Sequence, residues 1–378
     1  MRVFILGNDH TNTVGVVQSF GEVGIRPICC LWGHITGIVK ASKYTDSIIS
    51  AKSSEECVKK IVDTYSNTGG IIIPCSDEAT YQLYKNKSLL QNNNYCFEQL
   101  GNSLYNIEWL LQKSNQVSLA KECGFRVPFS IEIEKLEDIP QTMVFPCLIK
   151  PLISMEGGKA WTKICYNSEE LHDICAKALG NISKILLQQY IEKDFDYVVL
   201  GCGLKDGSCV LPGLIKKHKL FPMRTGLETV VTIDGLDNHE IESSIRTYIS
   251  KLGLVGLFSI EFVHTPQGEF YFVEINPRND GVNQVVLKSG VNLPYIHYCD
   301  MKGTPFSVTN IKKTQMIWEM HHFMSFVRRD TSLKEWLSDI LHSDCWMVFS
   351  KKDKKPFFMQ FYRLFGEKIG LLKVCNYK

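Results

Sequence analysis

Short apolar runs punctuated by glycine open the chain. Val3–Leu6 reads as a buried strand ending at Gly7, Val14–Val23 has helical spacing up to Gly24, and Ile28–Leu31 is a second strand. Together they predict a β-α-β start. Ile71–Pro74 repeats the buried-strand pattern, and Ser76, Asp77 and Glu78 open a helix after it. Ser and Asp are good N-caps, so this acid pair has a structural reason to be there. Asn115–Glu122 is a helix closed by Cys123-Gly124, and Asn238–Leu252 is a helix stopped by Gly253. Strands are predicted at Phe145–Ile149, Leu186–Ile191, Val198–Cys202 and Cys209–Ile215, and helices at Met316–Phe326 and Leu333–Leu341.

One pair of runs combines apolar spacing with chemistry. Leu257–Val263 and Glu269–Asn276 flank the turn residues Thr265, Pro266, Gln267 and Gly268, a hairpin pattern. With the turn centred between Pro266 and Gln267, Glu261 lies opposite Phe272 and diagonal to Glu274, roughly 7–8 Å away at Cα. Glu261, Glu274 and Asn276 then share one face of the hairpin. Two acids and an amide oxygen suit a hard cation such as Mg²⁺, which completes its shell with water and phosphate oxygens. Arg278 follows at the strand end, placed to grip developing negative charge. A hairpin whose acids simply face water is equally open from spacing alone.

Other polar positions interrupt the apolar pattern in ways that ask for partners. Lys150 ends an apolar strand just before Pro151, and a strand-embedded lysine needs an anion. Ser154–Lys159 contains Gly157, Gly158 and Lys159, a loop whose amides can approach phosphates, although the P-loop spacing is absent. A plain hairpin turn fits it as well. Lys216, Lys217, His218, Lys219 and Arg224 form a basic cluster; alternation sends Lys217 and Lys219 inward together. Lysines guarding an exposed sheet edge are the other reading. The loop after the first strand offers His10 and Asn12 as substrate contacts, or as parts of a capped turn. Gly-x-Gly-x-x-Gly is missing there, so a dinucleotide site is not supported.

Composition narrows the class. A length of 378 residues suggests two or three domains. The 44% hydrophobic and 22% charged fractions are ordinary for a globular enzyme, and a net charge of +2 gives no case for nucleic acid. The 14 cysteines are scattered without any Cys-x-x-Cys pair, which points to reduced thiols in the cytoplasm. No apolar run reaches spanning length. His321 and His322 adjoin without metal-ligand spacing. From Ser350 to Lys378, basic residues interleave with Phe357, Phe358, Phe361, Tyr362 and Phe365. That stretch predicts a basic amphipathic helix, lying on an anionic membrane or packed on the protein's own body.

The run YFVEINPRNDG (271–281) resembles the metal-binding strand of the ATP-grasp superfamily, an acid on one strand followed by Glu-x-Asn-x-Arg on the next. Its RNDG ending, with GVNLP at 290–294, is similar to a group of bacterial ATP-grasp carboxylate–amine ligases. The likeness runs from the first strand to about residue 300. It implies an α/β (α+β) ATP-grasp fold: an N-terminal open parallel domain (1–112), two α+β subdomains enclosing ATP (113–300, hinge near 186–194), and a C-terminal helical extension (301–378).

The resemblance also assigns roles. Glu261, Glu274 and Asn276 would hold Mg²⁺, with Mn²⁺ as a substitute, and Lys113, Lys150, Lys159 and the Gly157-Gly158 flap would meet ATP phosphates. Gln188, Gln189, Tyr190 and Ile191 would read adenine, chiefly through backbone because many relatives have Glu near there. Asp194, in preference to Asp196, would bind ribose. Lys217 and Lys219 would face the triphosphate and acyl group, Lys217 and Arg278 as catalytic residues. Arg224, Asn279, Asp280, Asn283, His10 and Asn12 would line the acceptor side. The implied activity is ATP-dependent amide formation through an acyl phosphate. The implied partners are a small carboxylic acid and an amine of amino-acid or sugar-acid type. A non-ligating ATP-binding module and a carboxylate kinase remain the alternatives.

Overall fold

The computed structural model describes residues 1–368 except Asn67, Gly157 and residues 222–226; the side chains of Gly158, Lys159 and residues 364–368 are also outside the description. Its first unit is a five-stranded sheet of β1 (Val3–Asn8), β2 (Ile28–Trp32), β3 (Ser47–Ala51), β4 (Gly70–Pro74) and β5 (Tyr95–Phe97). All pairs are parallel and the order is β3-β2-β1-β4-β5. Parallel strands need crossovers. These are α1 (Thr11–Glu22), the short α2 (Ile38–Ala41), α3 (Ser54–Thr64), and α4 (Asp77–Lys85) with α5 (Lys87–Asn92). Strand order reverses between β1 and β4, so their carboxyl ends open a crevice there.

A two-residue strand, β6 (Gln99–Leu100), and the turn α6 (Ile107–Leu110) lead to α7 (Lys113–Glu122). The next sheet is small and antiparallel: β7 (Ser130–Ile133), β8 (Cys147–Pro151), β9 (Lys163–Cys165) and β10 (Ile185–Gln189), in the order β7-β10-β8-β9. Helix α8 (Ser168–Leu179) buries Leu171, Cys175 and Ala178 against it.

The large sheet follows. It contains β11 (Phe195–Gly203), β12 (Cys209–Val210), β13 (Leu214–Phe221), β14 (Leu227–Asp234), β15 (Leu254–His264), β16 (Phe270–Asn276), β17 (Thr314–Ile317) and β18 (Cys345–Trp346). Its order is β16-β15-β11-β13-β14-β17-β18, with β12 beside β11 and β6 beside β15. Helix α9 (His239–Leu252) packs Ile245, Tyr248 and Ile249 on one face, against Phe258, Ile260, Phe262 and Phe272. Helices α10 (Asn283–Ser289) and α11 (Leu293–Lys302) share a core with Val198, Leu200, Ile215, Val231 and Leu257 on the other. Period-two alternation carries that second face onward, from Ile215 to Lys217 and from Leu257 through Ser259 to Glu261. The apolar core therefore grades into a polar cluster at one end of the sheet.

Three expectations change. Cys209–Ile215 is not one strand: Pro212 and Gly213 separate β12 from β13, and a Cβ at Gly213 would lie 2.2 Å from the Asp234 carbonyl. Met316 and Ile317 belong to β17, paired with β14, and helix α12 (Glu319–Val327) starts only after them. A short apolar run does not distinguish strand from helix by itself. The last described helix, α14 (Lys355–Lys368), begins later than expected and packs on α2. Phe357 joins Trp346, Phe349 and Phe361 in an aromatic cluster, while Phe358 and Tyr362 face outward. Helix α13 (Leu333–His342) lies between, opened by a Ser332–Glu335 capping box. No described helix is long and apolar enough to cross a membrane.

Candidate active site

The β15–β16 hairpin puts its acids closer than expected. The turn centres on Gln267, because His264 pairs with Phe270 and Phe262 with Phe272. A bulge then absorbs one residue, so Glu261 stands directly opposite Glu274, and Ser259 opposite Asn276. The expected Glu261–Phe272 register is thus corrected by two residues. Phe262 and Phe272 are both fully buried beside Phe125, and that aromatic packing fixes the turn end of the hairpin. The bulge lets the strands realign so that the acids share a face. Opposed residues have Cα atoms about 4.5–5.5 Å apart, against roughly 7–8 Å for a diagonal pair.

Cations arrive from three other elements. Lys113, the first residue of α7, places Nζ 2.7 Å from Glu274 Oε2 and also donates to Ser154 Oγ. Lys217 on β13 lies 3.7 Å from both Glu261 and Glu228. Lys150 on β8 is 6% exposed and makes no ion pair within 4 Å among the described residues, although Lys113, Glu274 and Glu261 act on its charge. Burial, with Lys113 adding to it, drops the Lys150 ammonium to about 8. Burial raises the Glu274 carboxyl, but Lys113 and Lys150 overcome it and hold Glu274 at about 2. Lys217 pulls strongest on Glu261, yet burial and the acids Glu274, Asp280 and Glu228 together keep that carboxyl above its ordinary value.

The segment after β16 binds the site to the N-terminal crevice. Arg278 donates through Nε to Asp77 Oδ1 and through Nη1 to Asp280 Oδ2, each at 3.1 Å. Ser259 Oγ donates to the same Asp280 oxygen at 3.2 Å. Asn12 Nδ2 donates to the carbonyls of Cys75 (3.0 Å) and Asn279 (3.1 Å), while Asn279 Nδ2 donates to Asn12 Oδ1. Loops following β1, β4 and β16 therefore meet at one place. His10 caps α1 and turns its ring edge-on to Trp318 at 6.3 Å.

Several expected residues sit apart from this cluster. The Asn283 amide is buried between α1 and α10, donating to Ser19 Oγ at 2.9 Å. Lys219 does not share the inward face with Lys217. A register shift in β13 breaks the alternation, and its ammonium lies 2.7 Å from Asp339 on α13. The Asp194 carboxylate bonds His264 Nδ1 at 2.7 Å, whereas Asp196 lies opposite Lys217. Gln188 donates to Ser130 Oγ at 2.8 Å and the Gln189 backbone N–H to the Phe129 carbonyl at 2.8 Å; both end β10, and Tyr190 and Ile191 begin the link to β11. Gly157, Arg224 and the side chains of Gly158 and Lys159 lie outside the described residues. On the opposite face of β13 a cleft of about 630 Å³, lined partly by Lys216, His218 and Lys313, holds none of the cluster.

Glu228, Asp77 and Ser154 join the cluster without having been singled out as ligands. Glu228 interrupts the apolar run LETVVTID, which is a signal in hindsight, while Asp77 looked like a helix cap. On donor chemistry, Glu261, Glu274 and Asn276 fit a hard divalent ion. Among the described residues no three Asp, Glu, His or Cys side chains converge as a protein-only metal group.

Residues 112–289 match the family described as the carbamoyl-phosphate synthase L chain, ATP binding domain. Over 180 residues the chain is 26% identical to the formate-dependent phosphoribosylglycinamide formyltransferase of Bacteroides fragilis, covering 46% of each chain. It therefore spans about half the length of the curated relatives it matches. Among solved structures, N5-carboxyaminoimidazole synthetase from Staphylococcus aureus superposes with a TM-score of 0.67 at 14% identity, over 87% of this chain and 86% of that one. An L-amino acid ligase from Bacillus licheniformis gives a TM-score of 0.62 at 13% identity, over 83% and 79%.

Proposed function

We propose that the chain is an ATP-grasp enzyme, an ATP-dependent carboxylate–amine ligase releasing ADP and phosphate, a reading supported by the family match over residues 112–289 and by the fold shared with N5-carboxyaminoimidazole synthetase. The observation that carries this reading is Lys150: a buried ammonium, lowered to about 8, with no anion of the protein within ion-pair reach among the described residues. Such a group wants a ligand anion, and a nucleotide phosphate between the small and large sheets supplies one.

In this reading Glu261, Glu274 and Asn276 would hold Mg²⁺, which when bound would neutralise charge on the phosphates. Lys113 and Lys150 orient the phosphate chain, and the β10–β11 link seats the base. Both ribose candidates are bonded, Asp194 to His264 and Asp196 to Lys193, and Asp196 is proposed as the ribose acid because it lies opposite Lys217. A carboxylate oxygen of the acid attacks the γ-phosphorus as the bond to ADP breaks, giving an acyl phosphate. Phosphoryl transfer depends mainly on positioning and charge neutralisation, here from Lys217 and Arg278. The amine, bound as ammonium and deprotonated to solvent, attacks the acyl carbon; the tetrahedral intermediate then breaks its C–O bond to phosphate, and the departing phosphate oxygen takes the proton from nitrogen. Asp280, held ionised by Arg278 and Lys217 despite its burial, is placed to hold the ammonium form. Asn12 and Asn279 shape the acceptor side, and His10 stands at its rim.

The acid and amine are proposed as amino-acid or sugar-acid types. The test screens acids against amines with Mg-ATP and reads ADP and phosphate, with Glu274→Gln as control. ADP release requiring both an acid and an amine supports the ligase. ADP formed with the acid alone, stoichiometric with an acyl phosphate, would make it a kinase, and tight nucleotide binding without turnover a binding module. A cytoplasmic location accompanies this reading, given free thiols at the described cysteines. Peripheral membrane contact would use Phe358 and Tyr362, 61% and 64% exposed on α14, and sedimentation with anionic vesicles checks it.

A further inference from the structure

We propose that Glu228 is the positioning residue for Lys217, a counterion that keeps its ammonium aimed into the site with or without bound nucleotide. The inference rests on the ligase reading for its kinetic consequence but not for its geometry. Glu228 is 7% exposed in a strand whose neighbours Val230, Val231 and Ile233 are core residues. A carboxylate in that setting requires a partner. Lys217 is the cation within 4 Å of it among the described residues.

Lys217 stands 3.7 Å from Glu228 and 3.7 Å from Glu261. These two acids are not equivalent. Glu261 faces Glu274 across the hairpin and belongs to the proposed metal set. A carboxylate drawn to a divalent ion no longer neutralises a neighbouring ammonium, and like charges then repel. Glu228 lies one strand beyond, on β14, and is free of that competition.

The strand geometry supports the division. The register of β13 shifts after Lys217, which pairs with Val231, so that Lys219 pairs with Val230. That irregularity parts the two lysines: Lys219 goes to Asp339 and Lys217 stays with Glu228. The groups acting on Lys217 come from four elements, Glu261 on β15, Glu228 on β14, Asp280 after β16 and Asp196 on β11. Asp280 is already bonded by Arg278 and Ser259, and Asp196 by Lys193 at 2.5 Å. Glu228 and Glu261 each have Lys217 as their ion-pair partner among the described residues, and of the two only Glu228 lies outside the proposed metal set.

The test has two readouts. Trace acetylation of the whole folded chain with acetic anhydride, read by mass spectrometry, reports the free-amine fraction of each lysine without nucleotide. Glu228→Gln should raise the acetylation rate of Lys217 about tenfold at pH 9 and leave Lys216 and Lys251 unchanged. An unchanged Lys217 rate, or equal increases at all three lysines, overturns the proposal. In Mg-ATP turnover, Glu228→Gln should lower kcat about 10–100-fold, leave KM for Mg-ATP within twofold, and move the alkaline fall of kcat to lower pH. Glu228→Asp should recover part of kcat. A variant that instead needs more Mg²⁺ for the same kcat would make Glu228 a metal ligand and end the positioning role. Wild-type protein that releases no ADP would sink the ligase reading, while the acetylation result would still decide on Glu228.

Discussion

Lys113 Nζ and Glu274 Oε2 lie 2.7 Å apart, joining the first residue of α7 to the strand that bears the acidic motif. A cation in the first turn of a helix opposes the helix dipole, so α7 alone gives Lys113 no reason to be there. Glu274 gives it one, and Lys113 in turn keeps that carboxylate ionised.

Glu274→Gln should therefore act twice. Turnover with Mg-ATP falls at least on the order of 10²–10³-fold, the usual loss for a charge-stabilising group. Stability changes too. Lys113 and Lys150 hold the folded carboxyl at about 2, below its ordinary 4.5, so its stabilisation is full above pH about 4.5 and disappears as pH falls towards 2. Urea unfolding across that window should show a wild-type slope that the variant lacks.

Lys150→Met should stabilise the free protein while removing nucleotide binding. The buried ammonium is lowered from 10.5 to about 8, which corresponds to a penalty on the order of 3 kcal/mol at neutral pH. The unfolded chain binds more protons between those values, so wild-type stability rises from pH 8 to 10.5. Thermal melts of both proteins at pH 7 and pH 10 should show the variant's advantage shrinking at the higher pH. Equal melting points at pH 7 would mean that Lys150 is not strained in the free protein.

Asp196→Asn and Asp194→Asn should separate ribose contact from hinge packing. The first should weaken ATP binding several-fold or more, measured by calorimetry. The second breaks the 2.7 Å bond to His264 and should lower stability slightly with ATP affinity within about twofold. The opposite ranking restores Asp194 as the ribose acid.

Glu319, at the start of α12, is a further buried acid. It accepts from the amides of Met347, Val348 and Phe349 at 3.0–3.1 Å, clipping β18's exit to the start of α12. Burial outweighs those bonds and lifts its carboxyl to about 7. The folded state then holds the proton longer than the unfolded one, so stability falls as pH rises from about 4.5 to 7. Glu319→Gln should flatten that dependence in urea titrations from pH 4 to 8.

Much of the fold could be read from local patterns. Val3–Leu6, Ile28–Leu31 and Ile71–Pro74 are recognisable because a strand buried on both faces must be apolar throughout. Gly253 marks the end of α9 because that position has φ +59°, which a glycine adopts without strain. Where the reading failed, the deciding contact was distant. Met316 and Ile317 are strand because β14 offers them a ladder, and Lys219 turns away because β13 shifts register and Asp339 waits on α13.

The amino-acid order alone determined the residue types of the site: two glutamates, an asparagine and an arginine at strand spacing, with a lysine ending an apolar strand. Side-chain alternation is a local property, so spacing within one strand is enough to assign a shared face. Only the tertiary structure decided which distant groups face them. A bulge set by buried Phe262 and Phe272 brought Glu261 opposite Glu274, and packing of separate elements delivered Lys113, Lys217, Glu228 and Asp77. Those meetings depend on register and on packing between residues far apart in sequence, which no local pattern encodes.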